Sequence, residues 1–301
     1  MDELTFTVTQ EEAGIRVDKC IALRLGEEYS RTYVKYLMDN GFVSVNEKSV
    51  KPSYITHEGD EVFLELVPSP EDMDIEPEDI KLTILYEDEW VIVIDKPAGM
   101  VVHPGAGNKK GTMASALLYH CGKLPDAGDR ARPGIVHRLD KGTSGVIVAA
   151  KNERALRSLS RQFQKRAVKK CYLVLVKGRV EIDNGVIEVP VARHSTDRKK
   201  MSVDHDSGKP ARTVYHVLER FERFTLLRLE LFTGRTHQIR VHMQHIGYPV
   251  IGDVKYGGDR RMPRQALHAE LLGFTHPDTG EYMEFTSPMP EDMKEFLETS
   301  R

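Results

Sequence analysis

Residues 67–79, VPSPEDMDIEPED, limit the architecture more than any other stretch: three prolines, six acids, no base and no apolar period. Proline fixes φ and removes a backbone donor, and a run of like charges repels itself, so neither helix nor strand is favoured there. The stretch reads as an acidic linker over residues 67–80. It separates a small unit, residues 13–66, from a larger one, residues 81–301. A chain of 301 residues is long enough for about two domains.

In the small unit, RVDKCIALRL and SRTYVKYLMDNG (30–41) have helical spacing. Ser30 suits the N-cap of the second helix, Val34, Leu37 and Met38 form its apolar stripe, and Gly41 suits its stop. VSVNEKSV and EVFLEL read as short strands around turns. Arg31 and Lys35 are four apart and project together from the polar side, either into solvent or toward an anionic partner.

In the larger unit, WVIVIDK, GVIVAA, CYLVLVKG and LLRLELF are strand candidates without regular βα alternation between them. Residues 153–168 have the pattern of an amphipathic helix, with Leu156, Leu159, Phe163 and Ala167 on one face and Arg154, Arg157, Arg161 and Lys165 on the other. Residues 151–170 hold eight bases and one acid, Glu153, although the formal net charge of the chain is -3. A solvated helix face ordinarily mixes signs in i,i+4 pairs, whereas a face of one sign points to phosphate. Arg198, Lys199 and Lys200 form a second basic cluster.

Several chemistries lack their residues. GTSG (142–145) ends one position short of a nucleophile elbow, GNKKGT lacks the spacing of a phosphate-binding loop, and no GxGxxG opens a helix after a strand. Cys20, Cys121 and Cys171 lie far apart with no CxxC, which suits buried, reduced thiols rather than a zinc ribbon or a disulfide frame. His237, His242 and His245 in HQIRVHMQH have no carboxylate or cysteine with them, and Arg240 opposes a cation there. Structural or RNA-facing histidines are therefore expected, and no metal.

No run approaches the about 18 apolar residues of a membrane span, and MDELTFTVTQEEAG starts acidic where a secretory signal would be basic, so the expected location is the cytoplasm. What remains is a cofactor-free reaction built on an ionised carboxylate. Asp140 in GIVHRLDKGTSG (134–145), beside Arg138 and His137, is the candidate. By residue type alone, a turn cap is the favoured reading of Asp140.

The longer stretch RPGIVHRLDKGTSG (132–145) resembles the signature loop of the RluA/RluD family of pseudouridine synthases. VIDKPAGMVVHPGAGNKKGT (93–112), KKCYLVLVKG (169–178), RKKMSVDHDSGKPARTVY (198–215), TGRTHQIRVHMQHIGYPVIGDVKYGG (233–258) and RQALHA (264–269) match the same family in order. RVDK, SR, NGFVSVNEK and GDEV in the small unit resemble the alpha-L RNA-binding domain of a small-subunit ribosomal protein. The resemblance implies an α+β protein: a pseudouridine synthase fold with a mixed, largely antiparallel central sheet crossed by the active cleft, preceded by a small α/β alpha-L domain. It implies isomerisation of uridine to pseudouridine in RNA without a cofactor. The likeness is greatest to the branch acting on large-subunit ribosomal RNA, whether naked or in a pre-assembled subunit, and a monomer is expected.

On these residues the resemblance makes Asp140 the catalytic carboxylate and Arg138 the wedge that fills the place of a flipped base. It makes Tyr172 the group that packs on the uracil and takes the C5 proton, Arg235 the ion-pair partner of Asp140, and Ile239 an apolar wall. By type alone Arg138 suits a surface ion pair, and Tyr172 and Ile239 suit the core. Arg154, Arg157, Arg161 and Lys165, the cluster Arg198, Lys199 and Lys200, and Arg31 with Lys35 are candidate phosphate contacts, which position RNA without reading its sequence. Transfer RNA is the alternative substrate. A non-catalytic ribosome-assembly protein is a reading of another class, and a nucleoside hydrolase would need a second carboxylate that these stretches lack.

Overall fold

The computed structural model describes residues 2–26, 29, 31–67, 75–104, 108, 110–126, 132–194, 197 and 200–299. The chain divides into two compact units, Met1–Asp74 and Ile75–Arg301. The first contains β1 (Asp2–Thr7), α1 (Val17–Leu25), α2 (Arg31–Asp39), β2 (Val43–Val45) and β3 (Glu61–Leu66) in an antiparallel sheet ordered β1-β3-β2. Val17, Cys20 and Ile21 of α1, spaced i, i+3, i+4, are buried in one cluster with Val34, Leu37 and Met38 of α2 and Val62 and Leu64 of β3. Burying each such side chain contributes about 1.5–3 kcal/mol before entropy is counted. After β2 the chain reverses through Asn46 and Glu47 at φ 49° and 63°, the left-handed pair a tight hairpin turn requires.

Two expected boundaries move. β1 pairs with β3 along its whole length, from Asp2 opposite Leu66 to Thr7 opposite Glu61, so the small unit begins well before residue 13. Of the expected linker, residues 68–74 lie outside the described residues, and residues 75–80 belong to the larger unit. There the Glu78 N–H donates to the Ser115 carbonyl at 3.1 Å, and Glu78 Oε1 accepts from the Gly111 N–H at 2.8 Å. The N-cap expected at Ser30 and the side chain of Arg31 also lie outside the described residues, while Lys35 is exposed.

The larger unit runs β4 (Thr83–Glu87), β5 (Val91–Lys96), α3 (Met113–Cys121), β6 (Ser144–Ala150), α4 (Glu153–Lys165), β7 (Lys169–Lys177), β8 (Asn184–Glu188), β9 (Val191–Arg193), β10 (Met201–Val203), β11 (Arg212–Arg220), β12 (Phe224–Leu231), α5 (Gln238–His245), β13 (Leu267–Thr275), β14 (Tyr282–Thr286) and α6 (Glu291–Thr299). Its main sheet is ordered β4-β5-β6-β13-β7-β12-β11-β8, with β14 paired to β13. Within it β6 and β13 pair in parallel and the other pairs are antiparallel, the mixed, largely antiparallel α+β arrangement expected. β7 lies mid-sheet and is buried on both faces from Lys170 to Val176. α4 carries Leu156 and Leu159 inward but ends at Lys165, three residues early. Arg166 adopts φ 61°, and the Ala167 N–H turns back to the Gln162 carbonyl at 2.9 Å, a left-handed helix stop. Ala167 is thereby exposed and not part of the buried stripe.

Candidate active site

Segments distant in sequence line one cleft of ≈ 530 Å³: the loop entering β6, the end of α4 with strand β7 after it, the turn between β12 and α5, and His103. The loop is fixed from below. Leu139 is buried in the core, the Gly99 N–H donates to the Lys141 carbonyl at 2.7 Å, and Arg264 Nη1 donates to the Gly142 carbonyl at 3.0 Å. Gly145 sits at φ +113° where β6 meets β13, and a Cβ there would lie 2.2 Å from the Ala269 carbonyl oxygen. The final glycine of GTSG therefore serves strand approach. Within the loop, His137 Nε2 accepts the Val148 N–H at 3.1 Å and the ring stacks on Phe163 at 4.4 Å between centroids. Burial, followed by the charge of Lys170, lowers His137 to about 3, which keeps it a neutral acceptor.

Leu139 turns inward and its neighbours Arg138 and Asp140 face the cleft. Asp140 Oδ2 accepts from Arg240 Nη1 at 3.0 Å. The same guanidinium grips Asp253 through two further bonds, Nε to Oδ2 at 2.5 Å and Nη2 to Oδ1 at 2.8 Å, and lies 4.8 Å from the centroid of the Tyr256 ring. Burial alone would weaken the charge of Arg240, but Asp253 first and Asp140 second hold it above its usual value. The partner of Asp140 is thus Arg240 and not Arg235, which is a correction to the expected pairing. Arg235 stands in the turn ahead of α5, half-buried, with Nε donating to the Pro210 carbonyl at 3.3 Å. Arg240 lies within the helix, and its side chain is 8% exposed.

A second group faces the carboxylate. His237 caps α5 at φ 55°, with Nε2 3.7 Å from Asp140 Oδ2 and Nδ1 2.7 Å from the Tyr256 hydroxyl. That hydroxyl already accepts the Met201 N–H at 2.7 Å. Its own proton is therefore directed at Nδ1, and the imidazole proton is left on Nε2, toward Asp140. Burial, against the pull of Asp140, lowers His237 to about 4, so the ring is neutral at pH 7.

The opposite wall carries Tyr172, which burial and then the charge of Asp140 push above its ordinary value. Lys170 lies alongside, lowered to about 8 by burial and by the nearby Arg166 and Arg235. A smaller recess of ≈ 60 Å³ shares Asp140, Tyr172, Arg138 and Arg235 in its wall and adds Ile239. The structure thus brings together all five residues assigned to the centre, and adds Arg240, His237 and Lys170. Arg132, Arg138, Arg166, Lys170 and Arg235 surround one carboxylate in the main cleft, an electrostatic setting suited to a polyanion.

Arg154, Arg157, Arg161 and Lys165 are exposed along α4, and Arg157 lies 3.9 Å from Glu153. Lys200 is half-buried, 4.0 Å from Asp197; Arg198 and Lys199 lie outside the described residues. His242 has both ring nitrogens engaged, by the Thr213 hydroxyl at 2.9 Å and the Val189 carbonyl at 3.1 Å, as a structural histidine would. Glu87, His120 and Cys121 bring donor atoms within 4.8 Å of one another. Lys151 Nζ already compensates Glu87 at 2.7 Å, however, and this trio does not line the cleft.

Residues 90–245 match the family described as RNA pseudouridylate synthase, and residues 15–62 match the S4 domain. The chain is 46% identical to an uncharacterized RNA pseudouridine synthase of Bacillus subtilis, over 100% of this chain and 99% of that one. It is 45% identical to ribosomal large subunit pseudouridine synthase D of Pseudomonas aeruginosa, over 94% and 91%. Among solved structures, human RNA pseudouridylate synthase domain containing 1 superposes with a TM-score of 0.58 at 29% identity, covering 74% of this chain and 86% of that one. The chain belongs to the RNA pseudouridylate synthase family. It is an isomerase of RNA uridine with an S4 domain ahead of its catalytic unit.

Proposed function

We propose that this chain converts particular uridines of large-subunit ribosomal RNA to pseudouridine as a cytoplasmic monomer, with Asp140 as the acting carboxylate. The observation that carries the reading is the pairing of Asp140 with Arg240 at 3.0 Å on the wall of a cationic cleft that also holds Tyr172. The name of the 45% identical Pseudomonas protein supports the ribosomal target.

A uridine inside a stack hides its glycosidic bond, so the nucleotide must leave the stack. Arg138, exposed and two residues from Asp140 on the same loop, supplies a planar guanidinium that fills the vacated place and donates hydrogen bonds there. The flipped base enters beside Tyr172 and Ile239. The N1–C1′ bond breaks, the uracil turns, the C5–C1′ bond forms, and the hydrogen lost from C5 is balanced by one gained at N1. Nothing is oxidised and no water is consumed. Tyr172, held as a neutral phenol by its surroundings, packs on the ring but is no base in that state, so the C5 proton that the resemblance assigns to it goes instead to the carboxylate. Asp140, the one carboxylate in the cleft lining among the described residues, then receives the C5 proton.

The test is tritium release from [5-³H]uridine-labelled large-subunit ribosomal RNA, for wild type beside Asp140→Ala. Release by the wild type and loss of at least about 10³-fold in the variant is the expected result. Retained release in the variant would remove Asp140 from its role, and release only from labelled transfer RNA would reassign the substrate.

A further inference from the structure

A second cavity, of ≈ 480 Å³, adjoins the catalytic cleft, and the two share Arg166 and Thr233 in their walls. The chain leaving β12 divides between them: Leu231, Gly234 and Arg235 line the cleft, whereas Phe232 lines the second space. Phe232 is 39% exposed, and the guanidinium of Arg212 lies over its ring at 4.9 Å from the centroid. Arg166, exposed at the left-handed end of α4, stands between the two spaces. Arg235 reaches from the cleft to the second wall through its bond to the Pro210 carbonyl.

We propose that this cavity is a subsite for the nucleotide next to the target uridine, its base stacked on the Arg212–Phe232 pair and its phosphate beside Arg166. A guanidinium lying on a ring keeps an outer plane free, and every nucleobase has a π-face to set on it. Glu188 is the only acid in this lining among the described residues, so two arginines outweigh it and the site is cationic overall. Its position beside the cleft suits a strand whose flipped member occupies the catalytic side. The inference rests on the RNA pseudouridine synthase reading. It adds a foothold that tolerates any base and so positions the strand without reading its sequence.

Two readouts test it on the full chain: the KM and kcat of tritium release from the naked, labelled ribosomal RNA, and the Kd of a fluorescein-labelled single-stranded RNA 12-mer by anisotropy. Phe232→Leu keeps an apolar side chain but removes the stacking surface, and Phe232→Tyr restores it. In Phe232→Leu and Arg212→Gln both KM and Kd rise about tenfold, the effect of removing one stacked base, while kcat changes by less than threefold. Phe232→Tyr returns both to near wild type. Unchanged KM and Kd would overturn the subsite, as would a fall in kcat at constant KM, the mark of a purely structural role. A KM effect seen only with assembled subunits would overturn it by giving the cavity to a protein. If the wild type released no tritium from any RNA, the synthase reading would fail, and the anisotropy arm alone would decide the subsite.

Discussion

Replacing Arg240 with lysine separates the two arginines that could serve Asp140. Arg240 makes three charge-assisted hydrogen bonds to two carboxylates, at 2.5, 2.8 and 3.0 Å, and the Asp253 side chain it grips is 2% exposed. A lysine ammonium is a compact charge without the planar fork. It can stay with one carboxylate and must abandon the other, and water reaches Asp253 too poorly to replace the missing donors. Two charged hydrogen bonds at about 1.5–3 kcal/mol each, in a pair whose disruption strands a buried charge, place the destabilisation at about 3–5 kcal/mol.

The chemical step responds separately. With Nη1 gone, Asp140 is no longer held in position from that side, and a displacement of about 1 Å at a reacting group costs about 10²-fold in kcat. The matched control, Arg235→Lys, alters a half-buried side chain bonded to one carbonyl and, among the described residues, to no carboxylate in the cleft. It shifts stability by less than about 0.5 kcal/mol and lowers kcat by less than tenfold. Urea unfolding followed through Trp90, the single tryptophan of the chain, reports on the larger unit, and single-turnover tritium release reports on the chemistry. An Arg240→Lys protein within about 1 kcal/mol and threefold of wild type, beside a hundredfold loss in Arg235→Lys, would refute the assignment and restore Arg235 as the partner.

Acid should weaken the larger unit through His137. Its folded value of about 3 lies below the 6.5 of an unperturbed imidazole, so between those pH values the unfolded chain binds more protons. The stability it contributes is complete above about pH 6.5 and is lost as the pH falls toward 3. His137→Gln keeps an acceptor for Val148 and removes the titration, so the slope of unfolding free energy against pH between 6.5 and 5 falls by up to about 1.4 kcal/mol per unit; an unchanged slope would mean that His137 titrates alike in both states. Glutamine at Arg154, Arg157, Arg161 and Lys165 should flatten the dependence of log Kd for RNA on log salt by about 0.7–0.9 for each phosphate that the variant no longer neutralises. A slope equal to wild type would leave that helix face merely solvated.

The parts of the fold that the sequence displays are those whose burial does not depend on their neighbours' identity. β5, β6 and β7 carry continuous apolar runs because both their faces are buried, β12 starts apolar and then alternates through Arg228 and Glu230, and α2 and α4 carry stripes at helical spacing. β8 (NGVIE) and β11 (RTVYHVLER), at the far edge of the sheet, alternate buried and exposed residues. They exist through pairing that no local pattern announces. β1 is six residues whose partner, β3, begins more than fifty positions later, so its place in the small unit is equally silent. The end of α4 shows the same limit: periodicity continues through Ala167, but the backbone turns left-handed at Arg166.

The site divides along the same line. Asp140, Arg138 and Tyr172 are legible through their motif stretches, which the fold then brings to one cleft. The ion pair is not, because it depends on how α5 lies across a loop a hundred residues away. In HQIRVHMQH the histidines draw attention and Arg240 reads as an obstacle to a metal; only the fold gives it two acids to hold. The sharing has a chemical consequence. A guanidinium devoted to Asp140 alone would neutralise the carboxylate it positions, but Arg240 spends its Nε and Nη2 on Asp253 and gives Asp140 a single bond, to one oxygen. The three groups together carry one net negative charge, and Asp140 is the more exposed acid, at 19% against 2% for Asp253. The surplus charge therefore lies on the cleft side, and on the proposed reading, in which a flipped uridine meets it there, the buried Asp253 helps set how reactive Asp140 is.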